Sequence, residues 1–94
     1  MSKLTKEARG RECQVRIPGV CNFNPETTVA AHYRLAGTCG TAIKPDDAQA
    51  AWACSACHDE IDRRTRFIDA NDARLMHAEG VMRTQEILRK EGKL

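Results

Sequence analysis

The polar and apolar positions of this chain change rhythm several times. Residues 1–10 are polar and suit a loose or short helical lead-in. Residues 13–21, Cys-Gln-Val-Arg-Ile-Pro-Gly-Val-Cys, hold a Pro-Gly turn signal between two cysteines. Asn22 to Thr28 reads as loop, with Asn-Pro at 24–25. The stretch from Thr27 to Leu35 is the best strand candidate, β-branched at its start. Gly37 to Asp47, with two glycines and a proline, predicts a long surface loop, and Ala50 to Ala53 a short second strand.

From Ser55 the pattern turns helical, running to about Phe67, with acidic residues first and basic ones last, as a helix dipole favours. Asn71 or Asp72 is placed to cap a second helix that reaches about Lys90. There Leu75, Ala78, Met82 and Leu88, with Val81 and Ile87 beside them, form an apolar stripe at helical spacing. Core packing is its first meaning. The stripe is also compatible with a homodimer, without specifying one. Neither an internal repeat nor a low-complexity tract is present.

Composition explains why such a chain needs help to fold. It has 94 residues, of which 41% are hydrophobic and 4% aromatic. A core so small gives thin stability, and domains of this size commonly add a disulfide, a metal or a partner. Five cysteines cannot all be paired in disulfides within one chain. The first ten residues lack the apolar stretch of a signal peptide, and no run approaches the roughly 20 apolar residues of a membrane span. The expectation is therefore a cytoplasmic protein with reduced thiols, no membrane partner, and cysteines that hold metal.

Cys54-Ser-Ala-Cys57 offers two thiolates from a tight turn opening a helix, a familiar half of a tetrahedral zinc site. Cys13 and Cys21 are the pair that completes it, and the Pro18-Gly19 turn can fold their longer spacing back on itself. Cys39 is left over, either as a small buried residue or as a substitute fourth ligand. Cys54-Ser-Ala-Cys57-His58 also matches a c-type haem attachment motif, but that would leave Cys13 and Cys21 unexplained in a chain without an export signal. A thioredoxin-like redox pair would need a βαβ setting, and none surrounds Cys54.

Two histidines bear on chemistry. His32 lies near the end of the first strand and His58 at the start of the first long helix. Zinc joining strand to helix would let them face one cleft. Asp62 lies four residues after His58, on the same helix face, where the pair could bind a catalytic divalent ion. The plain alternative is that Asp62 pairs with Arg66 at the next i+4 position. Net charge is only +2, so composition alone does not announce nucleic-acid binding, although arginines cluster at 9, 11 and 16 and again at 63, 64 and 66.

A strand histidine, a long loop and Cys-x-x-Cys-His opening a helix together resemble the HNH, or His-Me finger, nuclease motif. The stretch Arg11-Glu-Cys-Gln-Val-Arg-Ile-Pro-Gly-Val-Cys-Asn, with Ala31-His32, Lys44-Pro45-Asp46-Asp47 and Ala53-Cys-Ser-Ala-Cys-His-Asp-Glu-Ile-Asp-Arg-Arg, closely resembles the YbcO family. This is a family of small phage- and prophage-encoded proteins described as nucleases, and the likeness runs from about Ala8 to the C-terminal helix.

The resemblance implies an α+β fold: one small, zinc-stapled, HNH-like (ββα-metal) domain over 1–94, ending in a C-terminal helix. It implies that His32 is the general base and that His58, with Asp62, ligates a catalytic divalent ion such as Mg²⁺. The middle position of the motif, usually Asn, is offered here by Asp46, Asp47 or Gln49, and Asp47 is the expected orienting residue. The position before the strand histidine, often acidic in the family, is Ala31, one metal ligand fewer.

The implied activity is metal-dependent DNA endonuclease cleavage. Histidine can deprotonate water near neutral pH, and a cation can stabilise charge on phosphate and leaving oxygen. Arg34, Lys44, Arg63 and Arg66 are expected to hold DNA phosphates, contacts that position without reading sequence. The competing reading is a non-catalytic, zinc-stapled DNA-binding accessory of phage recombination.

Overall fold

The structure, a computed structural model, describes residues 3–40, 43 and 45–94, and Lys44 lies outside them. Helix α1 spans Lys3–Lys6. The strands are β1 (Val29–His32) and β2 (Ala50–Ala53), and helices α2 (Ser55–Ile61) and α3 (Ala70–Lys90) follow. This is an α+β arrangement built on a two-stranded antiparallel sheet. Val29 lies opposite Ala53 and His32 opposite Ala50. No helix among the described residues is long and apolar enough to cross a membrane.

Both strands are brief for identifiable reasons. β1 is shorter than the Thr27–Leu35 stretch suggests because a 3₁₀ turn at Pro25–Thr27 occupies its start, capped by the Asn24 side chain. At the other end Tyr33 N–H still reaches the Gln49 carbonyl at 2.9 Å, before the chain bends away at Leu35. β2 has the expected boundaries and is buried throughout. Its outer backbone groups are paired too: Gln14 N–H donates to Trp52 O at 2.7 Å, and Trp52 N–H donates to Thr84 Oγ1 at 3.0 Å. A polar side chain of α3 thus completes the edge of the sheet.

The last helix corrects two expectations. Its N-cap is Asp69, whose carboxylate accepts from Asn71 N–H at 2.9 Å, in place of Asn71 or Asp72. Its buried face also keeps only part of the apolar stripe, Val81 and Leu88. Leu75 and Met82 are 59% and 60% exposed, whereas Ala73, His77, Gly80, Val81, Thr84 and Leu88 are buried. Small residues are required there because α3 lies almost on the sheet. A Cβ on Gly80 would come within 2.9 Å of Val15 Cγ2 and 3.2 Å of the Ala51 methyl.

Helix α2 also stops short of the expected end, at Ile61. The cause is Glu60, whose carboxylate is fully buried. It accepts from Thr65 Oγ1 at 2.7 Å, Phe67 N–H at 3.2 Å and Ile68 N–H at 3.0 Å, and pairs with Arg63 at 3.3 Å. Burial alone would favour the neutral acid, but these donors hold the Glu60 carboxyl below the usual carboxylate range. The chain from 62 to 69 is therefore wound around one side chain, with Arg63 in a left-handed conformation (φ 62°) to begin the turn.

Candidate functional site

The cysteine quartet forms the heart of the main core. Pro18-Gly19 turns the chain, with Cys21 N–H bonded to Ile17 O at 2.9 Å, and so returns Cys21 towards Cys13. Cys54 caps α2, its sulfur accepting from Cys57 N–H at 3.4 Å. Arg16 N–H points at Cys13 Sγ at 3.5 Å, from a left-handed residue with φ 54°. The sulfurs of Cys13, Cys21, Cys54 and Cys57 all lie within 4.8 Å of one another.

The donor set and its spacing suit a tetrahedral ion. Four thiolates around zinc, at a bond length of about 2.3 Å, place their sulfurs about 3.8 Å apart. Cys54 Sγ and Cys21 Sγ are separated by 3.8 Å. Protons alone serve the quartet poorly. The contact with Cys57 pulls the Cys13 thiol down to about 4, while the same contact drives Cys57 up, and burial lifts Cys21 to about 11. A divalent cation would allow all four to be thiolates together. Cys39 stands apart from the quartet, donating to Leu35 O at 3.7 Å.

Beside the quartet, the end of β1, the end of α2 and the start of α3 enclose a cleft of about 350 Å³. His32, Arg34, Asp62, Arg63, Arg74 and His77 are among its lining residues. His32 Nε2 lies 2.7 Å from Asp47 Oδ1, with the histidine side chain 27% exposed. With Nε2–H donating to this carboxylate, the lone pair of the neutral ring is on Nδ1.

The other candidates for the middle position are engaged elsewhere. Asp46 Oδ1 accepts from Ala48 N–H at 2.7 Å, and Gln49 Nε2 donates to Tyr33 O at 2.6 Å. His58 and Asp62 meet at 3.3 Å, Nε2 to Oδ2. Arg64, not Arg66, shares that carboxylate, at 3.5 Å. The cysteines are the only group of three or more potential ligands gathered this closely among the described residues. His58 and Asp62 are thus a pair, and no third His, Cys, Asp or Glu joins them this closely among the described residues.

The four cations expected to hold phosphates fare differently. Arg34 lines the cleft and donates to Gly40 O at 3.1 Å. Arg63 also lines it, but its guanidinium is spent on Glu60 and on Ile68 O, 3.1 Å away. Arg66 is exposed and, among the described residues, reaches only the Arg63 carbonyl, at 3.5 Å. Lys44 is not among the described residues.

Sequence reasoning missed what α3 brings to this cleft. His77 donates from Nε2 to Ala31 O at 2.8 Å, directly beside His32 in the chain. Burial pushes its pKa below the ordinary histidine value, so the ring stays neutral. Its centroid lies 5.0 Å from that of Tyr33, whose ring carries Arg74 at 4.7 Å. The available signal was the buried-side spacing Ala73, His77, Gly80, Thr84, Leu88, which places a histidine in a seam of small residues.

A family profile described as "Putative nuclease YbcO" matches residues 2–93. Two relatives of the same description, one from Escherichia coli (strain K12) and one from Enterobacteria phage 82, are each 66% identical over 92 residues. Those alignments cover 98% of this chain and 96% of each relative. A solved structure described as "a putative bacteriophage protein from Escherichia coli str. K-12 substr. MG1655" superposes with a TM-score of 0.82 at 61% identity. It covers 95% of this chain and 99% of its own.

Proposed function

Because the chain belongs to the YbcO family, whose relatives are named as nucleases, we propose that it is a metal-dependent DNA endonuclease of HNH-like, ββα-metal design. Residues 1–94 act as one domain, phage- or prophage-associated and cytoplasmic. The observation that carries this reading is the His32–Asp47 pair at 2.7 Å, whose histidine stands on the wall of a cleft that Asp62 also lines.

In this reading His32 is the general base. Asp47 accepts a hydrogen bond from Nε2–H, fixes the tautomer and the ring orientation, and favours the imidazolium formed when Nδ1 takes a proton from water. His77 holds the Ala31 carbonyl, and with it the end of β1 from which His32 projects. His58 and Asp62 are the ligands of a divalent ion such as Mg²⁺. Two protein donors suit an ion that keeps several waters and takes the rest of its shell from substrate phosphate. Such an ion supplies positive charge to the phosphate and the departing oxygen.

Zinc on Cys13, Cys21, Cys54 and Cys57 is structural, because four sulfurs leave no open position for substrate. It ties the turn after Cys13 to the start of α2, the helix that carries His58 and is capped by Asp62. The second reading, a non-catalytic DNA-binding accessory, draws on the alanine at position 31 and the two-donor site. Incubation of supercoiled plasmid with the protein, with and without Mg²⁺ or Mn²⁺, separates them. Nicked or linear product only with the added ion supports the nuclease, whereas DNA binding without product under every condition supports the accessory.

A further inference from the structure

Three arginines line the cleft, and they differ in what their guanidinium groups already do. Arg63 is bound on one side by a fully buried carboxylate and on the other by the Ile68 carbonyl. Arg34 is tied to Gly40 O. Arg74 has neither a carboxylate nor a hydrogen-bond acceptor among the described residues. Its guanidinium carbon instead lies 4.7 Å from the centre of the Tyr33 ring.

That support has consequences for binding. Stacking uses the face of the guanidinium and leaves its five edge N–H donors unspent, so the group is oriented without being neutralised. Tyr33 is itself braced against His77, with ring centroids 5.0 Å apart at 55°, and it directly follows His32, the last residue of β1. Arg74 comes from the second turn of α3, near the positive end of the helix. We propose that Arg74, braced on Tyr33, is the cation that grips a DNA backbone phosphate beside His32. Arg63, whose position suggested that role, instead holds the loop from 62 to 69 around Glu60.

The proposal rests on the nuclease reading, and its test distinguishes the two. Binding of a fluorescein-labelled duplex is followed by anisotropy over a range of salt concentrations without added Mg²⁺, and plasmid cleavage is measured beside it. Arg74→Gln is expected to raise the dissociation constant by roughly 5- to 10-fold, irrespective of sequence, and to lower the salt slope by about one. Arg74→Lys keeps the charge and the wild-type slope. The Arg74 side chain lies at the surface, so the melting temperature of Arg74→Gln should match that of wild type, and a changed salt slope is not something a folding defect would produce.

Wild-type affinity and slope in Arg74→Gln, in a protein that cuts plasmid, would overturn the role of Arg74 and leave the nuclease reading standing. A wild-type protein that neither binds nor cuts DNA would overturn both.

Discussion

Asp47 and His32 are fifteen positions apart in the chain, yet Oδ1 of one lies 2.7 Å from Nε2 of the other. The contact spans the long loop between the strands and is made just before β2 begins. In the proposed mechanism position 47 supplies an acceptor that orients the ring and a charge that favours the imidazolium. Asp47→Ala should lower kcat by about 10- to 100-fold with little change in KM, because the imidazole loses its fixed tautomer. Asp47→Asn should lose less, since the amide oxygen can accept the same N–H although it no longer favours the imidazolium. Equal losses in both variants, in steady-state plasmid cleavage, would show that orientation is not what Asp47 provides.

The sulfur quartet predicts about one zinc per chain by elemental analysis. Cys54→Ser should lose the metal and with it the cooperative thermal transition, because binding to four thiolates is worth on the order of 10 kcal/mol of folding free energy. Cys39→Ser, which changes a residue outside the quartet, should retain both. Full zinc content in Cys54→Ser would place the metal elsewhere.

Gly80 marks the closest approach of α3 to the sheet. Alanine usually stabilises a helix over glycine by about 1 kcal/mol, but here its methyl would stand 2.9 Å from Val15 Cγ2. Overpacking costs about 1–3 kcal/mol, so Gly80→Ala should destabilise by up to about 2 kcal/mol in urea unfolding. Adding Val15→Ala should shrink the cost of the glycine change. Stabilisation by Gly80→Ala alone would mean that the helix sits further from the sheet.

The two chain ends are joined by ion pairs that predict a pH dependence. Arg11 first, then Lys93, hold the Glu91 carboxyl at about 2, against an ordinary 4.5. A carboxyl depressed in the folded state contributes fully above about 4.5, and the contribution is lost as pH falls towards 2. The melting temperature of wild type should therefore exceed that of Glu91→Gln above pH 5, and the gap should close by pH 2. A gap independent of pH would assign the effect to packing.

Much of this molecule was legible because its chemistry is local. Cys-x-x-Cys before a helix, the β2 boundaries and the Pro18-Gly19 turn all follow from neighbouring residues. What escaped was decided at a distance. Asp69, Asn71 and Asp72 are all competent caps, and the choice falls to Asp69 because Glu60 holds the backbone of Phe67 and Ile68 just upstream. Leu75 and Met82 looked like core because they are large. The sheet instead accepts only the small residues around Gly80, which leaves those two exposed. Arg63 read as a DNA contact by its charge, and only the fold reveals the buried acid it serves. His32, His58, Asp62 and Asp47 were each named from the sequence. The His58–Asp62 pair followed from i, i+4 spacing, but the His32–Asp47 contact at 2.7 Å and the support from Tyr33, Arg74 and His77 required the tertiary structure.

The central claim is that His32 performs the chemistry in a domain that zinc only holds together. It is tested most directly by plasmid cleavage with Mg²⁺ or Mn²⁺, comparing wild type with His32→Ala at equal zinc content. The account predicts cleavage by wild type and a loss of at least about 100-fold in His32→Ala, with zinc and duplex binding retained. Cleavage at the same rate by both proteins, or by neither, would contradict it.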